Sequence, residues 1–175
     1  LEQLGIPVLF LGSLFERPAV KELLALLSLL SDPRAMGLVR TAGMSCFAMA
    51  MPDVDKMLAF LRRSPSSPET WKDAAEHEGI PEDGRRALDA VVAALGGFDQ
   101  SSSPWLVLAT LLLDRSRLAA ELSSANDVAG RTRAIAVWQL LNFLRVQPTG
   151  RGAPVPRLLD RVKRLVRLGD ERDLR

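Results

Sequence analysis

Few residues in this chain of 175 could carry out bond-making chemistry. His77 is the single histidine and Cys46 the single cysteine. One of each cannot supply a His-Glu-x-x-His site or a cysteine-rich zinc site, and it leaves little from which to build a Ser-His-Asp triad. His77 stands between Glu76 and Glu78. It reads as a solvated surface residue, because a lone histidine needs convergent partners to make a site. Cys46 lies among Met and Phe and reads as a small buried hydrophobe. The carboxylate pairs Asp53/Asp55 and Glu82/Asp83 fall at expected helix starts, where negative charge complements the helix dipole. No Gly-x-x-x-x-Gly-Lys-Ser/Thr loop is present to cradle a nucleotide's phosphates. The sequence therefore assigns no catalytic, metal-binding or cofactor-binding residue, and no cofactor is expected in this chain.

The cations are more informative. The formal net charge is only +2, but it is unevenly placed. Residues 64–100 carry three basic and eight acidic side chains, whereas residues 101–175 carry thirteen basic and seven acidic. An acidic middle and a basic end permit a nucleic-acid partner. At helical spacing, Arg157, Arg161, Lys163, Arg164 and Arg167 share one broad face of the last predicted helix. Leu158, Leu159, Val162, Leu165 and Val166 share the other. Two readings stay open: a solvated basic face on a packed helix, or a track for DNA phosphates or for another domain. Trp71, Trp105 and Trp138 each have apolar helical neighbours, so all three are expected in the core rather than as stacking platforms.

The elements that must position these residues are helical. Leu, Ala and Arg dominate, and there is no Tyr. A helix is expected over 17–30, with Pro18 in its first turn and Val20, Leu23, Leu24, Leu27 and Leu30 as a buried stripe widened by Leu26 and Leu29. Asp32-Pro33 opens a short helix to about 40. Residues 41–52 read as a loop or tight turn. Further helices are expected over 53–63, 68–79, 81–96, 104–113, 115–122, about 127–146 and from 156 to at least 168. Gly96-Gly97 and the loop at 147–156 act as stops. Residues 6–11, apolar and bounded by Gly5 and Gly12, read as one short strand whose sheet partners are absent. The fold class is all-α with that strand at its start. The absence of any long apolar run, together with the single cysteine, predicts a cytoplasmic protein without a membrane partner. The opening lacks a basic start and reads as an excised piece rather than a signal peptide.

The stretch GIPVLFLGSLFERPAVKELLALLSLLSDP at 5–33 resembles the segment of UvrD/Rep-like superfamily 1 DNA helicases in which a "GIP" strand is followed by a Phe-Glu-Arg-x-Glu-Val-Lys-Asp-Leu helix. Ala19 stands where the family often has Glu. The run from Leu158 to Arg175 resembles the helix leading out of the same insert. The stretches at 114–118 and 135–143 resemble the insert of a bacterial subgroup. The resemblance implies that residues 1–13 are a strand and connection from a RecA-like domain and 14–175 an inserted helical accessory (2B) subdomain. It implies a parent that couples ATP and Mg chemistry to 3′-to-5′ strand separation in DNA repair or recombination. The partners it implies are duplex DNA, bound without sequence preference, and the remaining helicase domains of the same chain. In some members a glycine turn of this subdomain presents N–H groups to phosphates. The nearest counterpart here makes Arg40, Thr41, Gly43 and Ser45 phosphate-contact candidates, whose role would be positioning. The bland reading, a turn filled by core methionines, is the favoured one because Met commonly fills irregular gaps.

A helical protein-interaction module without any nucleic-acid role is the competing expectation. A phosphate loop upstream and a Lys-Gly-Leu-Glu-Phe motif downstream in the encoding gene would decide for the helicase. This chain alone should hydrolyse no ATP. ATP turnover that survives purification and disappears on mutating a residue of this chain would reveal a site missed above.

Overall fold

The computed structural model describes residues 14–63, 70–76, 79–146 and 153–173, and every regular element among them is helical. The α-helices are α1 (Pro18–Ser28), α2 (Leu38–Thr41), α3 (Met51–Arg63), α4 (Glu82–Leu95), α5 (Pro104–Thr110), α6 (Leu118–Ser124), α7 (Val128–Val146) and α8 (Val155–Asp173). Short 3-10 turns occupy Leu14–Glu16, Ser45–Phe47 and Thr70–Glu76, and a π turn occupies Leu111–Arg115. The strand expected over 6–11 lies outside the described residues, as does His77.

Helix α1 is the hub. Arg17 is extended and Pro18 takes the first helical position, so the missing N–H costs the helix nothing. Val20, Leu23, Leu26, Leu27, Leu29 and Leu30 are all buried, most of the wide stripe the spacing predicts, whereas Leu24, expected in that stripe, is only half-buried. The surrounding elements α2, α5, α7 and α8 all pack on α1. Phe15 in the preceding 3-10 turn meets Phe143 of α7 edge to face, with ring centroids 5.2 Å apart. The α3–α4 part of the fold is tied to α1 through Trp71. Its indole is wholly buried and its N–H donates to the carbonyl of Leu29 at 2.9 Å.

Several expected elements come out differently, each for a local reason. The short helix after Asp32 begins late. Asp32 does accept from the N–H groups of Arg34 and Met36, but the chain first turns through Ala35, whose φ is +48°. A left-handed residue interrupts the helix, leaving only α2. Gly37, unmarked by any signal in the sequence, proves decisive here. A Cβ there would collide with the carbonyl of Ala25 and the hydroxyl of Ser28, so α2 can approach α1 only because this side chain is absent. Asp53, expected to cap α3, is instead the third residue of its first turn and is buried. The helix expected over 68–79 is described only as the 3-10 turn. Of Asn126 and Asp127, either of which could cap the helix by its residue type, Asp127 accepts from Gly130 N at 2.6 Å at the start of α7.

The two helices expected over 104–122 are joined by the π turn. Ser116 bonds Leu111 O through both its N–H at 2.9 Å and its hydroxyl at 2.8 Å, which widens the last turn before the break. Val107, Leu108, Leu111 and Leu112 are buried along this stretch, whereas Leu106 and Leu113 face solvent. The guanidinium of Arg115 reaches back to the carbonyls of Ala94 and Gly96 and lies 4.9 Å from the Phe98 ring centroid. It thereby satisfies the open C-terminal carbonyls of α4.

Replacing Gly37 with Ala should destabilise the protein by about 1–3 kcal/mol, because the added methyl overpacks a backbone contact. Gly43→Ala adds a methyl at 3.4 Å from Arg40 O and should be close to neutral. Urea melts should show a lower midpoint for the first variant only. Equal midpoints would mean that the α1–α2 contact relaxes freely.

Candidate functional site

Helix α8 is held by its apolar side. Val155, Leu158 and Val162 are buried, and Val155 N donates to Gln100 O at 3.0 Å, fixing the helix start to the α4–α5 connection. With about 100° between successive residues, anchoring that side turns the opposite one outward. Arg157, Arg161, Lys163, Arg164 and Arg167 are accordingly all exposed. The separation of basic and apolar faces read from the sequence is therefore present over the first turns, although Leu165 of the expected apolar face is exposed and Leu159 and Val166 are half-buried. The outer face also has one addition. Asp160 stands on the same outer face, and Lys163 pairs with it at 3.7 Å. The spacing of the cations alone does not reveal this carboxylate as part of the face. Arg157, Arg161 and Arg164, spaced four and three apart, form its cationic stripe; Asp160 stands one turn from Arg157 and Arg164, but its ion pair is with Lys163.

The turn at 40–45 is arranged differently from a phosphate-binding turn. Thr41 is fully buried and its hydroxyl donates to Gly37 O at 3.0 Å, so Thr41 is withdrawn as a phosphate contact. The N–H groups of Ala42, Gly43 and Met44 donate to the carbonyls of Leu38, Arg40 and Thr41 at 2.8, 3.1 and 3.0 Å. Gly43 is exposed, but its N–H is already engaged. Ser45 is exposed as well, yet its hydroxyl donates to Glu121 Oε2 at 3.1 Å, which places a carboxylate where a phosphate would have to come. Met44, Phe47 and Met49 fill the interior beneath. Of the four candidates only Arg40 is left to meet an anion, as an exposed cation beside a shallow groove lined by Ala25, Ser28, Met36, Gly37 and Val39. The structure does not bring Arg40 and the α8 arginines together through any contact between α2 and α8 strong enough to define one site.

The three tryptophans do not share one fate. Trp71 is in the core and Trp105 is half-buried, but Trp138 is 71% exposed. Its expected place in the core is corrected: α7 turns Ala136, Val137, Leu140 and Leu144 inward, and Trp138 lies off that stripe.

A groove of about 770 Å³ lies between the Ser45–Phe47 turn, α4 and the π turn, lined by Cys46, Ala94, Asp114, Arg115, Arg117 and Glu121. Cys46 is half-buried there, and burial pushes its thiol up to about 11, with Glu121 adding to the rise and its own backbone hydrogen bond opposing it. A thiol so protonated is a poor nucleophile near neutral pH. Among the described residues no group of three His, Cys, Asp or Glu side chains is placed to hold a metal ion, and no helix is long and apolar enough to cross a membrane. No protein-family model, no curated protein and no solved structure matches this chain.

The raised thiol makes two linked predictions. Alkylation of Cys46 by iodoacetamide should reach half its limiting rate near pH 11 rather than near 9, the ordinary value. The folded-state value lies above the unfolded one, so the thiol's contribution to stability is complete below pH 9 and is lost as pH rises toward 11. Cys46→Ala should remove that part of the alkaline loss. Rapid alkylation at neutral pH in the folded protein would contradict the burial.

Proposed function

We propose that this chain is the accessory subdomain of a UvrD/Rep-like DNA helicase and that it contacts the backbone of duplex DNA through the outer face of α8. The observation that carries the reading is the exposed stripe Arg157, Arg161 and Arg164, held outward by the buried Val155, Leu158 and Val162. Three guanidiniums along one rigid helix face, with no carboxylate partner among the described residues, suit phosphates, which they can meet with paired N–H donors. They contain nothing that would read a base edge, so contact would be sequence-independent. The likeness of residues 5–33 and 158–175 to the helicase segment supplies the parent. That parent would hold ATP and Mg in RecA-like domains, and this piece would regulate the motor by engaging the duplex ahead of it. Catalysis would belong to those domains. Arg167 and the Asp160-paired Lys163 would extend the positive field, with Lys163 contributing less because of its neighbour.

Binding to duplex DNA should be weak and steeply salt-dependent. Three phosphates neutralised give a log–log slope of about −3. The triple variant Arg157→Ala, Arg161→Ala, Arg164→Ala should flatten that slope and weaken binding to all sequences alike. These side chains lie off the buried stripe, so circular dichroism should show an intact fold. A folded triple variant with unchanged affinity at low salt would remove α8 from the interface.

A further inference from the structure

Helix α7 carries a second surface of a different chemical kind. It bears three arginines and no carboxylate. One of the three, Arg133, pairs with Glu22 of α1 at 3.2 Å. Arg131 and Arg145 are exposed and meet no carboxylate among the described residues. They stand seven residues to either side of Trp138, which is about 10 Å along the axis in each direction and close to the same side of the helix. Ile135 lies one turn before Trp138 and is likewise exposed. Asn142, one turn after it, accepts from Arg145 Nη2 at 3.0 Å, which lays that guanidinium along the helix surface. A third cation comes from outside the helix: Arg17 Nη1 donates to Gln139 Oε1 at 3.1 Å, next in the chain to the indole.

We propose that this face of α7 binds single-stranded nucleic acid, with a base stacked on Trp138 and backbone phosphates held by Arg131 and Arg145. The occupant follows from two features of the face. Arginines flank an exposed indole on both sides, and the carboxylate of Asp127 at the helix start is engaged in capping Gly130 N. Cations around an exposed aromatic are the combination by which single strands are held without sequence preference. A duplex cannot use the indole, because its bases are already stacked on one another. A protein partner is less well matched. The contiguous exposed apolar area is small, Ile135 and Trp138 with the half-buried Leu141 beside them, since the helix's other exposed large apolar residues, Val128 and Val146, lie at its two ends. A stable protein interface needs about 800 Å² per partner around an apolar centre. This face stands apart from the α8 stripe in both residues and ligand, so either proposal can fail without the other.

The test measures binding of a fluorescent oligothymidylate about 16 nucleotides long to the whole chain at low salt, alongside a duplex of the same length. Trp138→Ala should weaken the single-strand complex by about tenfold and leave duplex binding unchanged, while Trp138→Phe keeps most of the affinity. Arg131→Ala with Arg145→Ala should reduce the single-strand salt slope by about 1.4, at about 0.7 per phosphate. All these side chains are exposed, so the variants should melt like the parent chain. Failure of the parent chain to bind the oligonucleotide, or equal binding by a folded Trp138→Ala variant, would overturn the proposal. So would self-association of the chain that Trp138→Ala abolishes, because the face would then serve a second copy.

Discussion

The burial of α1 is the constraint on which the rest of the structure depends. A helix with Val20, Leu23, Leu26 and Leu27 inside and Leu29 and Leu30 beyond its end is apolar over most of its circumference. Such a helix cannot lie on a surface and must be covered from several directions. Helices α2, α5, α7 and α8 provide that cover. The carbonyl of Leu29, just past the helix end, would be an unmet acceptor in the interior without the indole N–H of Trp71. One buried hydrogen bond thus secures the α3–α4 part of the molecule to the hub and satisfies both of its own partners.

The same packing decides what each charged helix face can do. Helix α8 is attached along Val155, Leu158 and Val162, and its arginines point out because nothing else is possible once those three are buried. Helix α7 is attached along Ala136, Val137, Leu140 and Leu144, which leaves Trp138 outside with Arg131 and Arg145 to either side of it. The acidic side chains of the first turn of α4, Glu82 and Asp83, pair with Arg86 in the open, where such contacts contribute little. The charge asymmetry of the sequence therefore becomes a set of separate surfaces rather than one field.

Backbone accounting separates the two regions that the sequence marks for phosphate contact. In the turn after α2, successive N–H groups are engaged by carbonyls of the same turn, and the buried Thr41 hydroxyl is bonded to Gly37 O. A turn of that kind is closed on itself. Arg115 shows the opposite use of a cation: it projects from the π turn to close the C-terminus of α4, so it is a structural group although it stands exposed. Position on the surface alone does not make a cation available to a ligand.

Local physical chemistry was enough to read the all-helical class, the wide stripe of α1, Pro18 at its first position and the opposed faces of α8. Each depends on residues within a turn or two of one another, and helical periodicity exposes them directly. The length of the element after Asp32, the π turn and the exposure of Trp138 depended on backbone geometry and packing that helical periodicity does not encode. Ala35 takes a left-handed conformation in a buried turn, Gly37 leaves room for the α1 backbone, and Ser116 closes on Leu111. Trp138 has apolar neighbours in sequence, but which side of α7 faces inward was set by α1, α5 and α6 packing against it. A helix of low amphipathicity offers several nearly equivalent inward faces, and only the tertiary structure chooses among them.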